Sequence, residues 1–221
     1  MKIATVFLVL GLLSSTAFSQ ELTTAQVLAR LDEKAKVFTS LEASISQAQV
    51  VADFKQPVES GKIFMKSIKT IPAMLLDITS PKKLAKTVLV RDGNMKAYFR
   101  ETNGYRESSV DPKSNSLQLL LTGFGLSADT IKKFYTPQVT GNATIDGVAT
   151  VVLDLTPINA TGDLSKVTLW LDTKAWTPVQ TRVTQKAKGD YVDFKFSMVK
   201  LNKGVSDSTF KLDIPKSAKK Q

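Results

Sequence analysis

The chain has 221 residues, enough for one or two domains, and its 43% hydrophobic content supports a packed core and excludes disorder over most of its length. It has no cysteine and no histidine, which removes disulfides, thiol nucleophiles, cysteine-ligated zinc and every triad built on an imidazole base. With 30 Lys and Arg against 20 Asp and Glu the net charge is +10, a bias toward anionic partners that carries no information on fold.

Residues 1–19 read as a cleavable signal peptide: Lys2 is the basic start, Ile3 to Leu13 the apolar stretch, and Ala17-Phe18-Ser19 puts small residues at the two cleavage-reading positions, predicting cleavage before Gln20. The apolar stretch is too short for a bilayer core of ~30 Å. Residues 20–221 carry no linker, repeat or low-complexity run, so they are expected to form one exported domain.

In that domain, Thr23 or Thr24 caps a predicted helix reaching about Phe38, with Val27, Leu28, Leu31, Ala35 and Phe38 on one side. The period then changes to two. Leu41, Ala43 and Ile45 alternate with polar residues, and the alternation resumes out of phase at Ala48, Val50, Ala52 and Phe54, which predicts one long strand with a bulge. Strands follow over 61–68, 73–79, 85–91, 94–100 and 105–110, with Asp92-Gly93 and Asn103-Gly104 as hairpin turns. Leu117 to Phe124 and Ile131 to Phe134 break the pattern as one or two short helices. The strands return over 136–144, 148–155, 166–172, 177–186 and 191–200, with a hairpin turn at Asp146-Gly147. The fold class is therefore α+β: about ten strands of antiparallel meander, because turns this short cannot carry parallel crossovers.

Strand period assigns one apolar face: Ile63 and Met65; Met74, Leu76 and Ile78; Val88 and Val90; Met95, Ala97 and Phe99; Val151, Leu153 and Leu155; Val167, Leu169 and Leu171; Phe194, Phe196 and Met198. The opposite face carries lysine, threonine, aspartate and serine and is expected to be wet. The insert with Leu119, Leu120 and Phe124 reads either as a lid on this surface or as the cap of an ordinary core. Flexible methionines and aromatics suit an adaptable apolar cavity.

Phosphate-binding loops, the dinucleotide fingerprint, the nucleophile elbow and the paired-histidine zinc motif are all absent, so no cofactor, no metal and no catalytic residue is expected. Asp92 and Asp146 sit where turn geometry itself favours aspartate. The lysines are spread over the chain and are not interleaved with exposed aromatics, which argues against nucleic acid and leaves an anionic membrane face or an acidic partner.

Several features together resemble a known family: the Leu31…Phe38…Leu41 pattern, the Gly61-Lys62-Ile63 strand, Val90-Arg91-Asp92-Gly93-Asn94, the Leu117 to Phe124 insert, Leu169-Trp170-Leu171-Asp172 before Trp176-Thr177-Pro178, and the closing Phe210-Lys211-Leu212-Asp213-Ile214-Pro215. This order resembles the periplasmic outer-membrane lipoprotein carrier (LolA-like) superfamily, which also includes lipoprotein receptors and sigma-factor regulatory proteins. The resemblance implies an unclosed half β-barrel whose concave apolar side, closed by helices, receives acyl chains. It implies periplasmic localisation, a monomer, and as partners lipoprotein acyl chains or other lipids and proteins of the inner and outer membranes. Such carriers set an arginine in the strand after the Gly61 position; Ile68 to Met74 contains none, and Lys69 lacks the guanidinium fork.

The expected function is thus non-enzymatic carriage of acyl chains in a cavity lined by Ile63, Met65, Met74, Leu76, Ile78, Val88, Val90, Met95, Phe99, Leu119, Leu120, Phe124, Leu153, Leu169, Leu171, Phe194 and Phe196. The alternatives are an envelope sensor or scaffold of the same fold with a filled cavity, and a carboxylate-based hydrolase. N-terminal sequencing of the exported protein is expected to begin near Gln20; a membrane-bound product that retains Met1 would contradict the signal-peptide reading.

Overall fold

A computed structural model describes residues 22–68, 71–109, 123–159, 163–187 and 189–221. Helix α1 (Thr24–Val37) opens with a capping box: the Thr23 hydroxyl accepts from the Gln26 backbone N–H, and the Gln26 side chain accepts in return from the Thr23 N–H. Its apolar stripe buries Val27, Leu28 and Leu31. Strand β1 (Ser40–Val51) follows, then the two-residue β2 (Phe54–Lys55), which folds back on it. Next come β3 (Glu59–Ile68), β4 (Ile71–Ser80), β5 (Lys86–Arg91), β6 (Asn94–Phe99) and β7 (Gly104–Ser109). Helix α2 (Ala128–Phe134), capped by Ser127, leads into β8 (Tyr135–Ile145), β9 (Val148–Pro157), β10 (Leu164–Asp172), β11 (Pro178–Gln185) and β12 (Tyr191–Leu201); the two-residue β13 (Lys219–Lys220) ends the chain.

Among the described residues these strands form one sheet in the order β13-β7-β6-β5-β4-β3-β1-β12-β11-β10-β9-β8. Every pairing is antiparallel except β13 with β7, and β8 does not pair with β7, so the sheet stays open as a half-barrel. The three predicted hairpin turns hold: Asp92, Asn103 and Asp146 adopt φ of 51°, 45° and 48°, the left-handed region that aspartate and asparagine tolerate. The described helices do not include one long and apolar enough to cross a membrane.

The bulge falls on a different strand from the one the periodicity predicts. Between Glu42/Lys200 and Ser44/Ser197 the extra residue belongs to β12, and Met198 there has φ of 50°. The bulge turns Met198 outward, leaving it 73% exposed although its spacing assigns it to the apolar face. β1 itself stays in phase through Gln47, because β3 and β12 hydrogen-bond to it on both edges. Its register ends at the tight turn of Ala52 and Asp53, so Phe54 begins a separate strand.

Two clusters fill the concave side. One packs α1 and α2 on β8, β9 and β10 through Val27, Leu28, Leu31, Ile131, Leu153, Leu155, Leu169 and Leu171. Asp32 joins the two helices by accepting from the Ala128 N–H at 2.5 Å. The other lies on β1, β3, β4, β5 and β12 beneath Phe38 and Phe124. At its edge Asn202 ties the α1–β1 corner to the end of β12: its side chain accepts from the Thr39 N–H at 2.8 Å and donates to the Val37 carbonyl at 2.8 Å.

The outer face is not wet throughout. Phe64, Leu75 and Leu89 line up across β3, β4 and β5, and with Ala73 they are covered by Val205, Phe210 and Leu212 of the C-terminal segment. A 3-10 turn (Asp207–Thr209) aims Phe210 at this patch, Asp207 meets Lys66 at 2.5 Å, and the Arg91 guanidinium donates to the Phe210 carbonyl at 3.3 Å. The Lys66 ammonium holds the Asp207 carboxyl below its usual range. Gly61 is required by close approach, since a Cβ there would collide with the Asp77 carbonyl of β4. Phe210 is 1% exposed, so Phe210→Ala is expected to cost about 3–5 kcal/mol, read as a lower midpoint in urea unfolding; an unchanged midpoint would exclude the tail from the core.

Candidate functional site

The concave face is built of cross-strand rows, because directly paired residues of neighbouring strands point the same way. One row runs Leu41, Met65, Met74, Val90, Met95 across β1, β3, β4, β5 and β6. The next runs Ala43, Ile63, Leu76, Val88, Ala97. A third runs from Phe196 of β12 through Ile45, Gly61, Ile78 and Lys86 to Phe99. Phe124 closes on this surface with its ring edge-on to Phe196 at 5.0 Å between centroids.

Most of the expected lining is divided between the two clusters, while Phe99 belongs to neither and stands at the β6 end of the third row. Ile63, Met65, Met74, Leu76, Ile78, Val90, Phe124 and Phe196 lie in the central one, with Val88, Met95 and Phe194 packed against it. Leu153, Leu169 and Leu171 lie in the helix-covered one and are fully buried under α1 and α2. Leu126 touches both. The division has a sequence cause: the row that starts at Leu153 and Leu169 continues through Thr181, Phe194, Gln47 and Glu59, and so inserts polar groups into an otherwise apolar surface. Leu119 and Leu120 lie outside the described residues.

Coverage varies along the concave rows. Ile63, Met65, Ile78 and Val90 are at most 2% exposed, whereas Val88, Met95, Phe99 and Phe194 are only half-buried. Three of those four belong to β5 and β6. The concave face is thus closed in the middle of the sheet and most accessible toward β7.

Three charged groups also stand on this face. Lys86 is in phase with Val88 and Val90, Glu59 with Gly61 and Ile63, and Arg106 pairs with Ala97. The Lys86 ammonium lies 2.6 Å from Glu59 Oε2, an oxygen closed off from solvent, and the approach is one of charge off the hydrogen-bonding direction. The Arg106 guanidinium lies over the Phe99 ring, 5.5 Å from its centroid. The same period-two count that assigned the apolar face would have found all three, had polar residues been followed along with apolar ones.

Several carboxylates elsewhere on the sheet face cations. Asp193 receives both Nε and an amino group of Arg182 at 2.7 Å, and that bond raises the guanidinium pKa further. Asp154 meets Lys166 at 2.9 Å and accepts from the Thr168 hydroxyl, and Asp77 bonds Arg100 and Thr87. Asp172 accepts from the N–H groups of Lys174 and Ala175 and closes a turn. Among the described residues no three carboxylates gather in a set able to hold a metal ion.

No family model and no curated protein matches the chain. Solved structures do. A conserved protein from Thermus thermophilus superimposes with a TM-score of 0.56 at 13% identity, over 90% of this chain and 98% of its own. A chain of the MucA/MucB complex from Pseudomonas aeruginosa gives 0.50 at 15% identity over 86% of this chain, which spans 61% of its partner in the comparison. A LolA superfamily protein from Nitrosomonas europaea gives 0.43 at 16% identity, over 87% and 99%. At these identities the likeness is one of fold. The chain shares its fold with the first two, and it is the unclosed, helix-backed sheet that the LolA-like resemblance implies.

Tyr135 reports on the closure of the helix-covered half. It is 2% exposed, its hydroxyl has no hydrogen-bond partner among the described residues, and burial pushes its phenol pKa up. Above the ordinary tyrosine value of about 10 the unfolded chain loses this proton while the folded chain keeps it, so stability falls as pH rises through that range. The ultraviolet ionisation step lost in Tyr135→Phe is expected above pH 10; a step at the ordinary value would mean that this cluster is open to water.

Proposed function

We propose that the chain is a periplasmic, non-enzymatic binder of acyl chains that moves lipids or lipoproteins toward the outer membrane, working as a monomer with envelope proteins as donor and acceptor. The observation that carries this reading is the set of apolar rows across β1 and β3–β6, backed by the sheet and least covered at Val88, Met95 and Phe99. Burial of methylene groups at about 0.8 kcal/mol each makes a sixteen-carbon chain worth on the order of 12 kcal/mol gross. Displacing the side chains that already fill the central rows offsets part of that, as release of a cargo requires. The pairing of the strand carboxylates Glu59, Asp77, Asp154 and Asp193 with lysine or arginine supports a non-enzymatic role over a hydrolase, which would need a free acid–base pair there.

A second reading, an envelope sensor or scaffold of this fold, is supported by the near-complete burial of Ile63, Met65, Ile78 and Val90 by the chain's own atoms.

Val88 and Met95 separate the two. Both are half-buried on the concave face, so a charge there is tolerated by the fold, unlike one at Leu153, which is 0% exposed. Val88→Glu and Met95→Glu are expected to weaken uptake of a fluorescent sixteen-carbon fatty acid at least tenfold with an unchanged far-ultraviolet spectrum. Undiminished uptake in both folded variants, or none by the parent, would leave the scaffold reading.

A further inference from the structure

We propose that the β5–β7 end of the concave face is an anionic headgroup site, where Lys86 and Arg106 flank Phe99 and hold the carboxylate or phosphate of a bound acyl lipid. The inference rests on the acyl-binding reading and adds to it the chemical class of the ligand and its direction of binding.

Lys86 and Phe99 are direct cross-strand partners, and Arg106 lies over the Phe99 ring from the next strand. The two cations stand on either side of β6, on the order of 10 Å apart by strand spacing, a span that two long side chains can close around one headgroup. Glu59 is the carboxylate that meets Lys86, and among the described residues none lies within ion-pair distance of Arg106. Two cations against one anion leave this end of the face positive.

Solvent exposure differs between the two cations: Arg106 is exposed at the rim of the face, and Lys86 lies deeper beside Glu59. The Lys86 and Glu59 side chains are 23% and 14% exposed, so their attraction acts in a region with limited water and is screened less than a surface pair. The contact is also off the hydrogen-bonding direction, so the Lys86 ammonium keeps donors for another oxygen. Arg106 adds the guanidinium fork, which matches a carboxylate or phosphate with two parallel bonds.

The neighbouring apolar surface fixes polarity. From Phe99 the least covered side chains lead back through Val88 to Met95, so a ligand with its headgroup between Lys86 and Arg106 lays its chain along β5 and β6 toward the buried rows. An acyl lipid with a neutral head would leave Arg106 without an anion. Glu59 competes with the headgroup for Lys86 and so weakens retention, as suits a protein that gives its cargo up.

The test compares palmitate, hexadecanol and inorganic phosphate on the purified chain and on the variants Lys86→Gln with Arg106→Gln, and Glu59→Gln, each checked for folding by circular dichroism. The double variant is expected to bind palmitate at least tenfold more weakly and hexadecanol within twofold of the parent. Glu59→Gln is expected to bind palmitate more tightly. Unchanged palmitate binding in the double variant, or an equal fall for hexadecanol, overturns the headgroup site while leaving acyl binding in place. Displacement of palmitate by millimolar phosphate alone would mark a free-anion site and overturn it too. If the parent binds neither palmitate nor hexadecanol, the acyl-binding reading fails, and this proposal with it.

Discussion

The architecture depends on one strand hydrogen-bonded along both edges. β1 pairs with β3, its near neighbour in sequence, and with β12 from the far end of the chain; Ile45 lies between Gly61 on one side and Phe196 on the other. Each flanking set, β3 to β7 and β8 to β12, is a meander that local turns can build. Neither covers its own apolar face. Joining them through β1 makes one curved sheet, and only then do Phe196 and Ile78 come into the same row. The contact between β1 and β12 is long in sequence and bears the loop-closure cost, which the apolar residues on both strands offset.

The two faces are closed by different devices, with different consequences. On the concave side α1 and α2 seal β8 to β10, whereas β5 and β6 keep partly open side chains. On the convex side the C-terminal segment lays Phe210 over Leu75 and Leu89, so β5, the strand whose Val88 is partly open in front, is backed from behind. Backing of this kind stiffens the strands that carry Val88 and Lys86, and a surface held at fixed spacing can present cations and apolar groups together.

Charge is ordered by the same period. On the outer face Arg182 with Asp193 and Lys166 with Asp154 tie neighbouring strands, and Arg100, just past β6, reaches across β5 to Asp77 of β4. On the concave face the balance differs, with Lys86 and Arg106 against Glu59. The excess of the whole chain, +10, therefore has a local expression on the apolar face itself as well as on the solvated surface. That distinction separates a general attraction to anionic surfaces, which salt screens, from recognition of a headgroup beside the sheltered Lys86.

Much of the fold is written locally. The capping box at Thr23 and Gln26, the left-handed aspartate and asparagine of three hairpins, and the alternation of Ile63 with Met65 or Leu169 with Leu171 depend on neighbours in sequence, and the helix, turns and strand faces follow from them. What depended on partners far away in the chain was not legible. The bulge at Met198 arises from the count of residues between two strands, and the burial of Leu75 and Leu89 from a tail more than a hundred residues later. For the same reason the candidate site was read only as a list of apolar positions: which of them end fully packed, as Leu153 does, and which stay half-open, as Met95 does, is set by what lies across the sheet. The sequence by itself determined the α+β class and the apolar face, because period and turn chemistry are local; tertiary structure alone decided how that face divides and where Lys86, Glu59 and Arg106 meet it, because strand register is a property of pairs.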